Sequence, residues 1–155
     1  MGYKQRIKNY YNSSQKIYEI FCYSKKSLGI HFGFWDKETK NRHEAMLNEN
    51  QAVIDAGKIK SKHKVLDAGC GVGGTAIYIA KNIGARVVGI SFVKKHIDLA
   101  KKYAKDNGVE KLTDFQAQDY TETNFKNNSF DIVYGIESIC HAFQVSIFKR
   151  SLQNT

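Results

Sequence analysis

The sequence predicts an α/β fold, a doubly wound parallel sheet that is incomplete at its C-terminal edge and preceded by an N-terminal helical segment. Three observations predict it. Short apolar stretches alternate with helical ones, the pattern of strand–helix–strand units. The first of these strands, around Val65-Leu66, ends in an acid and passes at once into Asp67-Ala68-Gly69-Cys70-Gly71-Val72-Gly73-Gly74, a glycine-rich turn that opens a helix. Only four strands can be counted before the chain ends at Thr155.

The elements follow in order. Tyr3 to about Ser24 reads as helical, with Ser13 or Ser14 able to cap a turn and Ile17, Ile20 and Phe21 on one face. Gly29 to Asp36 is an aromatic-rich loop. Asn41 to Ala56 is a second helix with Ala45, Met46, Ala52, Val53 and Ala56 as its apolar positions, stopped by Gly57. The first strand begins at Val65. Gly74 to Ile83 is a helix ended by Gly84, and Val87 to Ile90 is the second strand. Lys94 to Asp106 is a helix with Ile97, Leu99, Ala100 and Tyr103 inward, and Asn107-Gly108 stops it. Thr113 to Ala117 is the third strand. A turn at Asn127-Asn128-Ser129 leads into the fourth, Phe130 to Tyr134. This divides the chain into a helical and aromatic cap, residues 1–58, and a partial binding domain, residues 59–155.

Bulk properties narrow the classes. At 155 residues, 42% hydrophobic and 12% aromatic, the chain suits one globular unit with a real core rather than a disordered tail. No apolar run approaches the roughly 20 residues that span a bilayer. Cys22, Cys70 and Cys140 are too far apart for a zinc or redox motif, so no metal is implied and a reducing cytoplasm is the simplest setting. The net charge of +9 admits nucleic acid or an anionic membrane surface. The cations are spread along the chain, however. Lys94, Lys95, Lys101, Lys102 and Lys105 read as the solvated face of one helix. No basic-aromatic module for RNA is present, so no specific nucleic acid is expected, and peripheral contact with anionic lipid is the better reading.

The glycine turn carries the chemistry. Glycines permit a tight backbone and close approach of a ligand, and the helix behind them offers free N–H groups. Gly69, Gly71 and Gly74 also satisfy the dinucleotide spacing, so spacing alone does not choose the ligand. Charge does. A pyrophosphate on this turn would be repelled by Asp67, whereas S-adenosyl-L-methionine has no phosphate and brings an ammonium and a sulfonium that an acid welcomes. Ser91 follows the second strand where a dinucleotide site wants an acid. In parallel sheets the ligand lies beyond the carboxyl ends of the strands. Asp67 to Gly73, Ser91-Phe92, Gln118-Asp119-Tyr120 and Glu137 to His141 should therefore converge.

Three segments together resemble a known group. They are the Asp67–Gly74 turn, Phe130-Asp-Ile-Val-Tyr-Gly-Ile-Glu137-Ser-Ile-Cys-His141-Ala142, and Leu28-Gly-Ile-His-Phe-Gly-Phe-Trp35-Asp36. The chain from about Tyr10 to Ala142 is similar to the class I S-adenosylmethionine-dependent methyltransferases with a Rossmann-like fold. The similarity is to their small-molecule and lipid branch: sterol C24, tocopherol and phosphoethanolamine methyltransferases and cyclopropane fatty acid synthases. The resemblance implies methyl transfer to a small lipid-like, isoprenoid or sterol-type acceptor. It implies cofactor contacts from Asp67, Ala68, Gly69, Cys70, Gly71 and Gly73, and from Ser91, Phe92, His96, Gln118, Asp119 and Tyr120.

Each residue also has a plainer role. Asp67 can cap the turn and Asp119 a helix. Phe92 and Tyr120 either sandwich an adenine or pack in the core. His96 is a cofactor contact or a surface residue. Glu137 and His141, four apart, would share a face of a helical turn beside the acceptor. They are then catalytic, as cation stabiliser or base, or else a structural pair. Tyr10, Tyr11, His31, Phe34 and Trp35, with Phe32, would form a lid or wall for the acceptor, or else pack in the core. The resemblance further implies seven strands. With four, the fourth strand becomes an edge with unpaired backbone groups, open to self-association or a partner. The alternatives are then an inactive or partner-dependent cofactor-binding half and, on charge alone, an RNA methyltransferase.

Overall fold

A computed structural model describes residues 28, 29 and 31–138. The expected first helix, with Tyr10, Tyr11 and Cys22, and the segment holding Cys140 and His141 lie outside the described residues.

Among the described residues the sheet has four parallel strands: β1 Lys64–Ala68, β2 Arg86–Ser91, β3 Thr113–Ala117 and β4 Ile132–Tyr134. Their order is β3-β2-β1-β4, so β1 lies between β2 and β4, and β4 is an edge among the described residues. Among the described residues three helices accompany them: α1 Arg42–Gly57, α2 Gly74–Ile83 and α3 Lys94–Asp106.

Strand residues alternate between two apolar clusters, because successive side chains leave a strand on opposite faces. Val65 of β1, Val87 of β2 and Phe115 of β3 join Ile54 of α1, Ala76, Ile77 and Ala80 of α2, and Ile97, Ala100 and Ala104 of α3. Leu66, Ala68, Val88 and Ile90 join Tyr120 and Phe130 on the other face. Covering both faces explains why β1 and β2 are apolar almost without interruption.

Local chemistry sets the helix ends. Asn41 accepts from the Glu44 amide (3.0 Å), while the Glu44 carboxylate accepts from the Lys40 amide (2.8 Å) and the Asn41 side chain (2.9 Å), a reciprocal cap. α1 departs from expectation at its far end and on its face. Gly57 is still helical, and Lys58 takes the left-handed cap position at φ 45°. A Cβ on Gly57 would press on Ile59, so packing accounts for this glycine. The buried residues are Ala45, Met46, Asn50 and Ile54, whereas Ala52 and Ala56 are exposed. The face turned because Asn50, a polar residue, goes inward to accept from the Thr75 hydroxyl at 2.7 Å. In α3, His96, Ile97, Ala100 and Ala104 are buried and the five lysines expected outside are exposed, which disperses much of the positive charge over solvent. Leu99 and Tyr103 are only partly buried. No helix among the described residues is long and apolar enough to cross a membrane.

Candidate functional site

Beyond the carboxyl ends of the strands the expected segments meet. The amides of Gly69 and Cys70 both donate to the Ile90 carbonyl (3.0 and 2.9 Å), which ties the glycine turn to the end of β2. The Gln118 amide donates to the Ser91 carbonyl (3.1 Å), bringing in the segment after β3. The Ser138 hydroxyl donates to the Ala68 carbonyl (2.6 Å), and Tyr120 donates to the Ser138 carbonyl (2.8 Å), so the segment after β4 closes over the turn.

The glycines are set by their neighbours. Gly69 has φ 100°, and a Cβ there would lie 2.3 Å from the Ser138 Cβ. Gly73 has φ 85° and precedes α2; its Cβ would meet the Phe115 ring at 2.8 Å. A Cβ on Gly89 of β2 would meet the same ring at 2.7 Å. Phe115 therefore occupies a slot that two glycines, sixteen residues apart in sequence, leave open.

Asp67, 3% exposed, lies at the centre of the sheet's carboxyl end. Tyr134 of β4, its register partner, donates to Asp67 Oδ2 at 2.9 Å. Burial raises the Asp67 carboxyl to about 7, against the lowering effects of the Tyr134 hydrogen bond and of His31. Burial, then the Asp67 charge, push the Cys70 thiol and the Tyr134 phenol well up. His96 is buried, not a surface residue, and burial with the adjacent Lys95 lowers it to about 4. It is neutral near pH 7.

Other expected residues show their local roles. Ser91 accepts from the Val93 amide (3.2 Å) ahead of α3. Asp119 Oδ1 accepts from the Thr121 amide and hydroxyl (2.8 and 2.7 Å), a turn cap. Tyr120 is buried in the core against Leu66 and Ile90, while Phe92 is half-buried. Gln118 accepts from the Asn124 amide (3.0 Å). Ala68 is buried, and Gly71 has φ 52°.

The aromatic segment reaches the same end. His31 is buried and hydrogen-bonded to Glu49 of α1. The Phe34 amide donates to the Ala45 carbonyl (2.8 Å), and the Phe32 amide donates to Glu137 Oε1 (3.0 Å). Phe32, Phe34 and Trp35 are 79%, 56% and 54% exposed. The helical-turn premise for Glu137 and His141 does not hold at Glu137, which has φ 49°, in the left-handed region. Ser138 lies in the segment expected to converge, but the sequence gives no sign that Tyr134 and Glu49 belong to the site, because their partners lie 67 and 18 residues away. No group of three or more His, Cys, Asp or Glu able to hold a metal exists among the described residues.

Residues 65–155 match the family model described as "Methyltransferase domain". A sterol 24-C-methyltransferase of Saccharomyces cerevisiae is 35% identical over 140 residues, covering 90% of this chain and 35% of that protein. A 24-methylenesterol C-methyltransferase of Arabidopsis thaliana is 34% identical over 137 residues, covering 88% and 36%. The chain thus spans about a third of the length of the curated relatives it matches. Among solved structures, a geranyl diphosphate C-methyltransferase of Streptomyces coelicolor A3(2) superposes with a TM-score of 0.78 at 17% identity, covering 98% of this chain and 61% of that one. That likeness establishes the class I methyltransferase fold.

Proposed function

The chain belongs to the methyltransferase domain family, and from that premise we propose that it binds S-adenosyl-L-methionine and serves methyl transfer to a lipid-like, isoprenoid or sterol-type acceptor. The observation that carries the reading is Asp67. A buried carboxylate at the end of β1 receives a neutral hydroxyl and no salt bridge from the described residues. A cationic ligand supplies what the fold withholds. The donor set fits the ammonium end of S-adenosyl-L-methionine, with the Gly69–Gly73 turn beside it. The cofactor, when bound, supplies a methyl group activated by its sulfonium.

The protein's own residues then position and shield. Asp67 holds the cationic end, and Phe92 and Asp119 line the adenine side. The chain's contribution to an in-line transfer is alignment and exclusion of water. Phe32, Phe34 and Trp35 offer aromatic faces to an apolar acceptor, and such faces with the Glu137 carboxylate stabilise positive charge on an attacked alkene. Glu137 or His141 takes the proton that leaves the acceptor. The names of the sterol relatives support this acceptor class. The same exposed aromatics and the +9 charge support peripheral contact with anionic lipid vesicles.

Calorimetric titration of the 155-residue chain with S-adenosylhomocysteine, with NAD as control, tests the cofactor reading. Binding of the former alone supports it. No binding by a folded chain overturns it.

A further inference from the structure

Asp67 is held by one contact from a different strand. β1 and β4 pair in parallel, and the register sets Asp67 directly beside Tyr134. The tyrosine hydroxyl reaches Oδ2 at 2.9 Å, which leaves Oδ1 for a ligand. Among the described residues, three titratable groups face this carboxylate: Tyr134 from β4, Cys70 from the glycine turn and His31 from the aromatic segment. Tyr134 alone among the three has a hydrogen bond to it; His31 is engaged by Glu49, and the Cys70 thiol points to the Gly71 carbonyl at 3.5 Å.

We propose that Tyr134 is the positioning residue of the cofactor site, its hydroxyl fixing Asp67 Oδ2 so that Oδ1 meets the cationic end of the bound cofactor. This rests on the cofactor reading above. The physical argument is direct. Burial opposes the carboxylate, and a donated hydrogen bond is what stabilises the charged form. A tyrosine hydroxyl does this without neutralising the acid, as a lysine or arginine would. The site then keeps a net negative charge for a cationic ligand. Phenylalanine at 134 would fill the same space and remove only that bond.

The test uses the full chain and two readouts. Binding of S-adenosylhomocysteine is titrated calorimetrically between pH 5.5 and 9. The Asp67 carboxyl is followed by carbon NMR without ligand. In the wild type both should change near pH 7, with binding gained as the acid ionises. In Tyr134→Phe both midpoints should move up, weakening binding by about tenfold at pH 7 and by less at pH 9. In an Asp67→Asn background, Tyr134→Phe should have little further effect on binding. Wild-type binding with superimposable profiles for Tyr134→Phe would overturn the positioning role and leave the cofactor reading intact. Absence of binding by the folded wild type overturns the cofactor reading and with it the role assigned to Tyr134. The apo carboxyl titration then tells whether the hydrogen bond itself exists.

Discussion

The glycine turn after β1 and the aromatic segment before α1 meet at one end of the sheet but are held in different ways. The turn is closely packed and overdetermined. Each of Gly69, Gly73 and Gly89 faces an atom that a Cβ would strike, and two turn amides are consumed by β2. The aromatic segment is tethered at a few points, to Glu49, Ala45 and Glu137, and leaves three large rings to solvent. The contrast suits the two tasks proposed for them. A site for one invariant cofactor benefits from rigid preorganisation. A wall for a bulky apolar acceptor needs exposed surface and the freedom to close, and such elements come from the less stable parts of a fold.

The largest test of the rigid side is Phe115→Ala. It empties the slot between Gly73 and Gly89 and should cost about 3–5 kcal/mol in chemical denaturation. Gly89→Ala forces a methyl into the same ring and should cost about 1–3 kcal/mol, part of it recovered in combination with Phe115→Leu. Full tolerance of Gly89→Ala would break the claim that Phe115 is locked between β2 and the turn.

Two buried titrating groups sharpen the comparison, with opposite signs. Asp67 is raised to about 7, so between about 4 and 7 the folded state holds more protons than the unfolded. Its contribution therefore falls as pH rises through that window. Asp67→Asn should gain about 1–2 kcal/mol at pH 8 while weakening S-adenosylhomocysteine binding without abolishing it. His96 is lowered to about 4, so its stability contribution is present above about 6.5 and is lost as pH falls toward 4. His96→Gln should flatten that acid limb by about 1–2 kcal/mol at pH 5. Thermal melts across pH 4 to 9 read both.

The smallest stability effect belongs to the loose side. Trp35→Ala and Phe32→Ala should change stability by less than about 0.5 kcal/mol, since both rings are exposed. S-adenosylhomocysteine binding should persist in both. Retention on anionic vesicles, measured by co-sedimentation, should drop. A loss of several kcal/mol would show that the segment is as integral to the fold as the turn.

Much of the cofactor end was legible in the sequence because its signals are local. The acid, the glycines and the helix start lie within nine residues, from Asp67 to Thr75, and α2 runs from Gly74 to Ile83 with Gly84 as its cap, as the pattern predicts. Strand ends were legible enough to bring Ser91, Gln118 and Ser138 to the turn. The roles of single residues were less so. His96 is buried although a lone polar residue on a lysine-rich helix reads as exposed. Glu137 is not on a helical turn, because its backbone enters the left-handed region where the chain folds back over Gly69.

By itself, then, the sequence determined the order of elements, the parallel sheet and the acid–glycine turn, since periodicity and turn chemistry act over a few residues. Tertiary structure decided the rest. Strand register put Tyr134 beside Asp67, and three strands together made Phe115 the reason for Gly73 and Gly89. It also turned Asn50 inward to Thr75 and carried Glu137 to the Phe32 amide. Those contacts join residues 25 to 105 positions apart, and no local pattern encodes which distant partner will fill a space or share a proton.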